Sequence, residues 1–185
     1  DIVHGRSLGI MTVDDVTVDV RHVTMTQDEA FTAGHPTLFA EHAVYQALFE
    51  FRNGQRESAK DRIRRIFHRK GDTDPTAIVW DNAHGLLTDF AGRSEFEKFQ
   101  TGQTTSCRQY SFKLAVLLYA VRLLGLQPEF PLEVKVLQQR LRAAPLDSGG
   151  VPHFFDVERD GAISYRSGAT GEATAIFILA ETVRP

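Results

Sequence analysis

The sequence predicts a mainly α protein of stacked helical hairpins, with a short N-terminal strand and a β-hairpin near residues 151–166. Three observations carry this expectation. Apolar residues recur at helical spacing over most of residues 37–143. Segments that are apolar nearly all round alternate with segments carrying one narrow apolar stripe, the pattern of inner and outer helices. Glycine and proline stand at the ends of these segments, where helices stop and start. A chain of 185 residues, 42% hydrophobic and 24% charged, supports one core of good size, so a single domain over residues 1–185 is expected, with residues 1–30 as a β-like extension.

In "VTVDVRHV", Val16, Val18 and Val20 alternate with Thr17, Asp19 and Arg21, the two-residue period of a half-buried strand. Over residues 37–52 the period becomes helical, with Ala40, Val44, Ala47 and Phe51 on one face and Leu38, Tyr45, Leu48 and Phe49 on another, which predicts an interior helix. Residues 55–70 follow as an outer helix, with a stripe of Ala59, Ile63, Ile66 and Phe67 between the stops Gly54 and Gly71. The basic run from Arg62 to Lys70 reads as its solvated face. Residues 76–91 are apolar nearly all round and predict a second inner helix, and Ser94 and Glu97 fit a capping box for a short helix after it. Residues 110–124 are the most buried-looking segment. Pro131 then opens an outer helix with a stripe of Leu132, Val136, Leu137 and Leu141. Two β-like arms around Arg159, Asp160, Gly161 and Ala162 form the hairpin, and residues 171–183 close with a last apolar helix. The inner helices begin near Thr37, Thr76, Tyr110 and Gly171, a spacing of roughly 20 to 50 residues that suits a repeated helical hairpin.

Several functional classes are disfavoured. A formal charge of -3 gives no electrostatic reason to bind nucleic acid or an anionic membrane. No apolar run approaches the roughly 18 residues of a spanning helix, and no leader is visible. A lone cysteine, Cys107, leaves no internal disulfide or cysteine-rich zinc site and leans toward a reducing, cytoplasmic setting for a soluble protein. The start at Asp1 rather than Met reads as a processed form or a piece of something longer. His35 and His42 have no recognised zinc spacing, and the glycines of "GATG" precede a helix without the lysine of a phosphate loop, so no metal or cofactor is expected.

One stretch raises a question. "IVWDNAHGLLTDFAG" sets Asp81, Asn82 and His84 in an otherwise apolar run, beside the chain's only tryptophan, Trp80. An unpaired carboxylate in such surroundings costs several kcal/mol, so the segment either caps something or lines a polar cavity.

The stretches "VWDNAHGLLTDFAG", "LFAEHAVYQALFEFRNGQRESAKDRI" and "LDSGGVPHFF…SGATGEATAIFILAETV" resemble the hairpin repeats of α/α-toroid proteins, the superfamily of six-hairpin glycosidases and several polysaccharide lyases. The resemblance implies a partial toroid of three to four hairpins, fewer than a closed ring needs, completed by an oligomer or a further chain segment. It also implies a carbohydrate polymer as partner, bound where the inner helices begin. Asp81 and Trp80 would open one inner helix and Glu172 another. Glycoside hydrolysis needs two carboxylates about 5 to 5.5 Å or about 6.5 to 9.5 Å apart. Asp81 with Glu172, Asp156, Glu158 or Asp160 would supply that pair, with Trp80 as a platform for a sugar ring. Elimination on an acidic polymer would instead draw on His84, His153 or Tyr165 as base and on Arg166 or Asn82 to neutralise a uronate. His84 follows Asp81 by three residues, which makes either a catalytic couple or a local hydrogen bond. Structural roles compete throughout: Asp81 also suits a helix end, Trp80 the core, Glu172 the helix dipole, and the Asp160-Gly161 and Asp147 to Gly150 stretches turns.

A second reading rests on Cys107. "TTSCRQYSFKLAVLLYAVRLLGLQPEF" is similar to the nucleophile segment of transglutaminase-like and papain-like cysteine enzymes, in which a helix N-terminus stabilises the thiolate and His153 would be the base. The predicted helix over residues 131–143 stands where that family would run into strands, and no third residue orients the imidazole. A third reading is a non-catalytic helical-hairpin module that binds a protein partner or a carbohydrate chain.

Overall fold

The computed structural model describes residues 6–13, 16–22, 39–68, 78–89, 92–144, 146–147 and 149–183. They belong to two units, residues 1–35 and 36–185. In the first, β1 (Arg6–Val13) pairs antiparallel with β2 (Val16–His22), Val13 standing opposite Val16. The alternation in the sequence revealed only the second strand, because a register shift between Ser7 and Gly9 breaks the period of the first. The remainder of the 1–30 extension, His35, Gly71 and the expected helix starts at Thr37 and Thr76 lie outside the described residues.

The second unit is mainly helical, with six α-helices and two small antiparallel sheets among its described residues. Helix α1 (Ala40–Arg52) turns at Gly54, whose φ of 79° suits glycine, into α2 (Arg56–His68). The two pack as a hairpin through Ala43, Ala47, Ala59 and Ile63, and the buried carboxylate of Glu50 accepts from Ser58 and Arg62 on α2. Helix α2 buries the four residues its stripe predicted.

The expected inner helix over residues 76–91 is instead a β-hairpin of β3 (Val79–Asp81) and β4 (Leu86–Thr88). The reason is local chemistry that outweighs the helical period. Asp81 Oδ1 accepts from Ala83 N at 3.1 Å, Gly85 N donates to Asp81 O at 2.8 Å, and Gly85 takes a φ of 65° that no helix contains. The hairpin tip then rests against Val136. The apolar residues that looked like two helix faces are β-formers packed on both sides of a short ribbon, with Trp80 and Leu86 in the core.

Helix α3 (Arg93–Gln100) follows, with Phe96 and Phe99 buried. Its N-cap is Gly92 and no side chain caps it; Ser94 lies inside the helix, so the expected capping box does not form. Strand β5 (Ser106–Tyr110) leads directly into α4 (Ser111–Leu123), the most buried helix, as expected. Its Leu114, Leu117, Leu118 and Val121 stand at the centre of the core, and α1 and the helices over residues 131–143 and 171–182 all pack on it. Pro131 opens α5 (Pro131–Ala143), which buries Val134, Leu137 and Leu141; Leu132, expected in the stripe, is 73% exposed, and Val134 is buried in its stead.

The β-arms of the expected 151–166 hairpin are β6 (Phe154–Glu158) and β7 (Ile163–Arg166), and β6 also pairs with β5 to give a three-stranded antiparallel sheet. Helix α6 (Gly171–Thr182) starts at Thr170, whose hydroxyl accepts from Ala173 N at 3.2 Å, and leaves Ile178 and Leu179 exposed. The described residues thus form two helical hairpins, α1–α2 and α4–α5, plus the single helices α3 and α6, instead of the expected three to four hairpins. Among them no helix is long and apolar enough to cross a membrane.

Candidate functional site

The 81–85 turn, the 159–162 turn and α5 border a cleft of about 490 Å³. Four of the residues singled out from the sequence line it: Asn82, His84, Asp160 and Arg166. Its far wall is Arg140 of α5, whose Nη1 donates to Gly161 O and whose Nη2 donates to His84 O at 3.1 Å. One guanidinium therefore ties both hairpin tips to the helix. Burial pushes the Arg140 pKa below its ordinary value, and Asp160 opposes that shift through its charge. Arg166 donates to Ala143 O at 2.9 Å.

At the edge of the cleft, His84 Nδ1 lies 2.7 Å from Asp81 Oδ2, and the His84 ring meets Phe99 edge-on at 5.1 Å. Asp81 opens no helix; it ends β3 and shapes the turn. The carboxylate of Asp81 sets the orientation of the ring.

The outer face of the three-stranded sheet carries a different arrangement. Tyr110, Phe154 and Tyr165 follow one another across its three strands, and His153 extends the row. Ring centroids are 5.5 Å apart for Tyr110 and His153, 6.0 Å for Tyr110 and Phe154, and 5.9 Å for Phe154 and Tyr165. Arg108 stands over Phe154 at 4.0 Å and is held there by two hydrogen bonds to Asp156, of 2.9 and 3.2 Å. Tyr165 is 52% exposed, so the row presents aromatic surface to solvent.

A third cluster joins the starts of the helices on the core. Asp89 Oδ2 accepts from Ala40 N at the start of α1, Asp89 Oδ1 from Gly92 N, and Lys113 Nζ of α4 reaches both Asp89 and, at 3.4 Å, Glu41. Glu172, in the first turn of α6, acts on Tyr45 of α1, whose phenol is pushed up by burial, then by Glu172 and by Glu41. The question raised by the apolar stretch is thereby answered by Asp89 more than by Asp81. Asp89 is the buried carboxylate of that stretch, and it caps a neighbouring helix. Two signals were available for the cluster: a single lysine in the first turn of the most apolar helix, and a second aspartate in the stretch.

The candidate residues therefore divide. Asn82, His84, Asp160 and Arg166 share the cleft with Asp81 at its edge, His153 and Tyr165 belong to the aromatic row beside Asp156, and Glu172 sits at the start of α6. Trp80 is 4% exposed and packs edge-on to Phe67 at 5.8 Å, so it is a core residue and offers no platform. Cys107 lies in β5 opposite Val157, not at a helix start, and faces the core. Burial, then the charge of Glu95, pushes its thiol up to about 12, the reverse of what a thiolate nucleophile needs. The register sets His153 beside Tyr110, beyond the far end of the strand from Cys107, so no couple forms. No group of three or more metal-ligating side chains occurs among the described residues. No family model, curated protein or solved structure matches the chain.

Proposed function

We propose that the chain binds a carbohydrate polymer through the aromatic row on the outer face of the β5–β6–β7 sheet, and that its helices form part of an α/α toroid. The observation that carries the binding reading is the row itself: Tyr110, His153, Phe154 and Tyr165 at spacings of 5.5 to 6.0 Å, with Tyr165 half exposed. Aromatic rings on one face of the sheet, with Arg108 held over Phe154 by Asp156 as a polar partner, suit sugar rings, whose faces are apolar and whose edges are polar. The cations at the row, Arg108 and Lys113, already sit on carboxylates, which favours a neutral polymer there.

The toroid part of the reading is supported by the neighbouring starts of α1 and α4, joined by Lys113 and Glu41, and by the packing of α6 on α4. The exposed Tyr45, Phe49, Ile178 and Leu179 on the flanking helices suit an arc that is open at its sides.

Affinity electrophoresis against soluble neutral and uronic-acid polysaccharides tests the binding. Retardation by at least one polymer, abolished by Tyr165→Ala and by Tyr110→Ala, is the expected result; no retardation on any polymer overturns the reading. Polymer cleavage is a second reading, favoured by the Asp81–His84 couple at the cleft edge. It predicts reducing ends or unsaturated products that are lost in His84→Ala while binding persists.

A further inference from the structure

The cleft between α5 and the two hairpin tips has an electrostatic feature that the aromatic row lacks. Among the described residues, Arg62, Arg64, Arg108 and Arg142 each sit on a carboxylate. The two arginines of the cleft do not: Arg140 donates to the carbonyls of Gly161 and His84, and Arg166 to the carbonyl of Ala143. Carbonyls satisfy guanidinium hydrogens without neutralising the charge. Only one carboxylate, Asp160, lines the cleft, and its own oxygen Oδ1 already accepts from Ala162 N at 2.8 Å. Two fixed positive charges therefore face a cavity of about 490 Å³ lined by one carboxylate, with the amide of Asn82 and the imidazole of His84 on the same wall, while Asp81 at the edge is turned onto His84. Burial of Arg140 raises the cost of that imbalance, and the charge of Asp160 offsets only part of it.

We propose that this cleft binds a small ligand carrying an oxyanion, of about monosaccharide size, with Arg166 as the direct partner and Arg140 as the charge behind it. The volume falls in the range of roughly 300 to 1,000 Å³ typical of small-molecule sites. Guanidinium pairs with carboxylate or phosphate oxygens in forked geometry, and the Arg166 side chain stands at the exposed end of β7 with part of its fork unused by Ala143. Asn82, exposed in the turn, supplies a donor for the hydroxyls or remaining oxygens of such a ligand. This site is separate from the aromatic row and does not depend on polymer binding.

The test is titration calorimetry of the full chain with inorganic phosphate, with sodium glucuronate and with neutral glucose. The Arg166→Gln variant serves for comparison, since its exposed position on a strand end leaves the core untouched. Binding of phosphate or glucuronate but not glucose is expected, weakened at least about tenfold in Arg166→Gln and reduced by added salt, as loss of one charge-assisted hydrogen bond predicts. Glucuronate alone identifies a carboxylated sugar as the source of the oxyanion, and phosphate alone identifies a phosphate. Failure of both anions to bind in the millimolar range overturns the proposal, and so does equal binding by wild type and Arg166→Gln. The Asn82→Ala variant separates direct recognition from a general field: it weakens glucuronate or phosphate if the wall contacts the ligand, and unchanged affinity in both variants also overturns the site.

Discussion

Lys113 Nζ stands 2.5 Å from Asp89 Oδ2, with the carboxylate side chain 4% exposed and the lysine 14%. The pair fixes the first turn of α4 against the start of α1, because the same Asp89 oxygen accepts from Ala40 N. Removing one partner of a buried pair leaves the other charge uncompensated. Asp89→Ala is therefore expected to lower stability by about 3 kcal/mol, readable as a fall in the urea midpoint. A loss below about 1 kcal/mol would mean that the pair is solvated and that α1 and α4 are joined by their apolar faces alone.

Gly85 gives a second stability test. Its φ is 65°, and a Cβ placed there would come within 2.4 Å of Val136 Cγ1 on α5. Gly85→Ala should cost about 2 kcal/mol from the left-handed backbone and the collision together. In the background of Val136→Ala the same change should cost measurably less, since only the backbone share remains. Equal costs in the two backgrounds would place the turn away from α5.

Cys107 should resist thiol reagents in the native protein at neutral pH and react on unfolding. Its side chain lies in the core and burial raises its pKa to about 12. Fast labelling of the folded chain would contradict the placement of β5 and revive a nucleophilic role.

Acid sensitivity follows from Glu181 and Glu129. Burial raises the Glu181 pKa, but hydrogen bonds from Arg142 and Gln138 and the charges of Arg122 and Arg142 outweigh it and hold the group below its ordinary 4.5. A hydrogen bond from Arg64 lowers Glu129 in the same direction. A carboxylate with a depressed folded pKa contributes stability that is fully present above the unfolded value and is lost as the pH falls through the folded one. Thermal stability should therefore drop as the pH is taken from about 5 to below 4, and Glu181→Gln should flatten part of that drop. An unchanged slope in the variant would show that Glu181 is solvated.

The sequence by itself determined the helices and their roles wherever a local rule was enough. The 3.6-residue period placed α1, α2, α4, α5 and α6 within a few residues, the Ala59, Ile63, Ile66 and Phe67 stripe identified the buried side of α2, and Asp160-Gly161 marked the tip between β6 and β7. Residues 76–91 failed because a short ribbon buried on both faces has no polar side, and its composition then mimics a buried helix. Only tertiary contacts reveal the difference: Val136 pressing on Gly85, and Gln109 Oε1 accepting from Leu87 N at 2.8 Å. The candidate site divided for the same reason. His84, Asn82 and Arg166 were chosen for their chemistry, but what brings them to one cleft is Arg140, which ties two hairpin tips from opposite ends of the domain to α5. Asp89 acts across 49 residues of chain on Ala40, and the ring row joins β5 to the β6–β7 hairpin, with α4 and α5 between them in the chain. Periodicity records which side of an element is buried; it carries no record of which distant element buries it, and that was decided by packing.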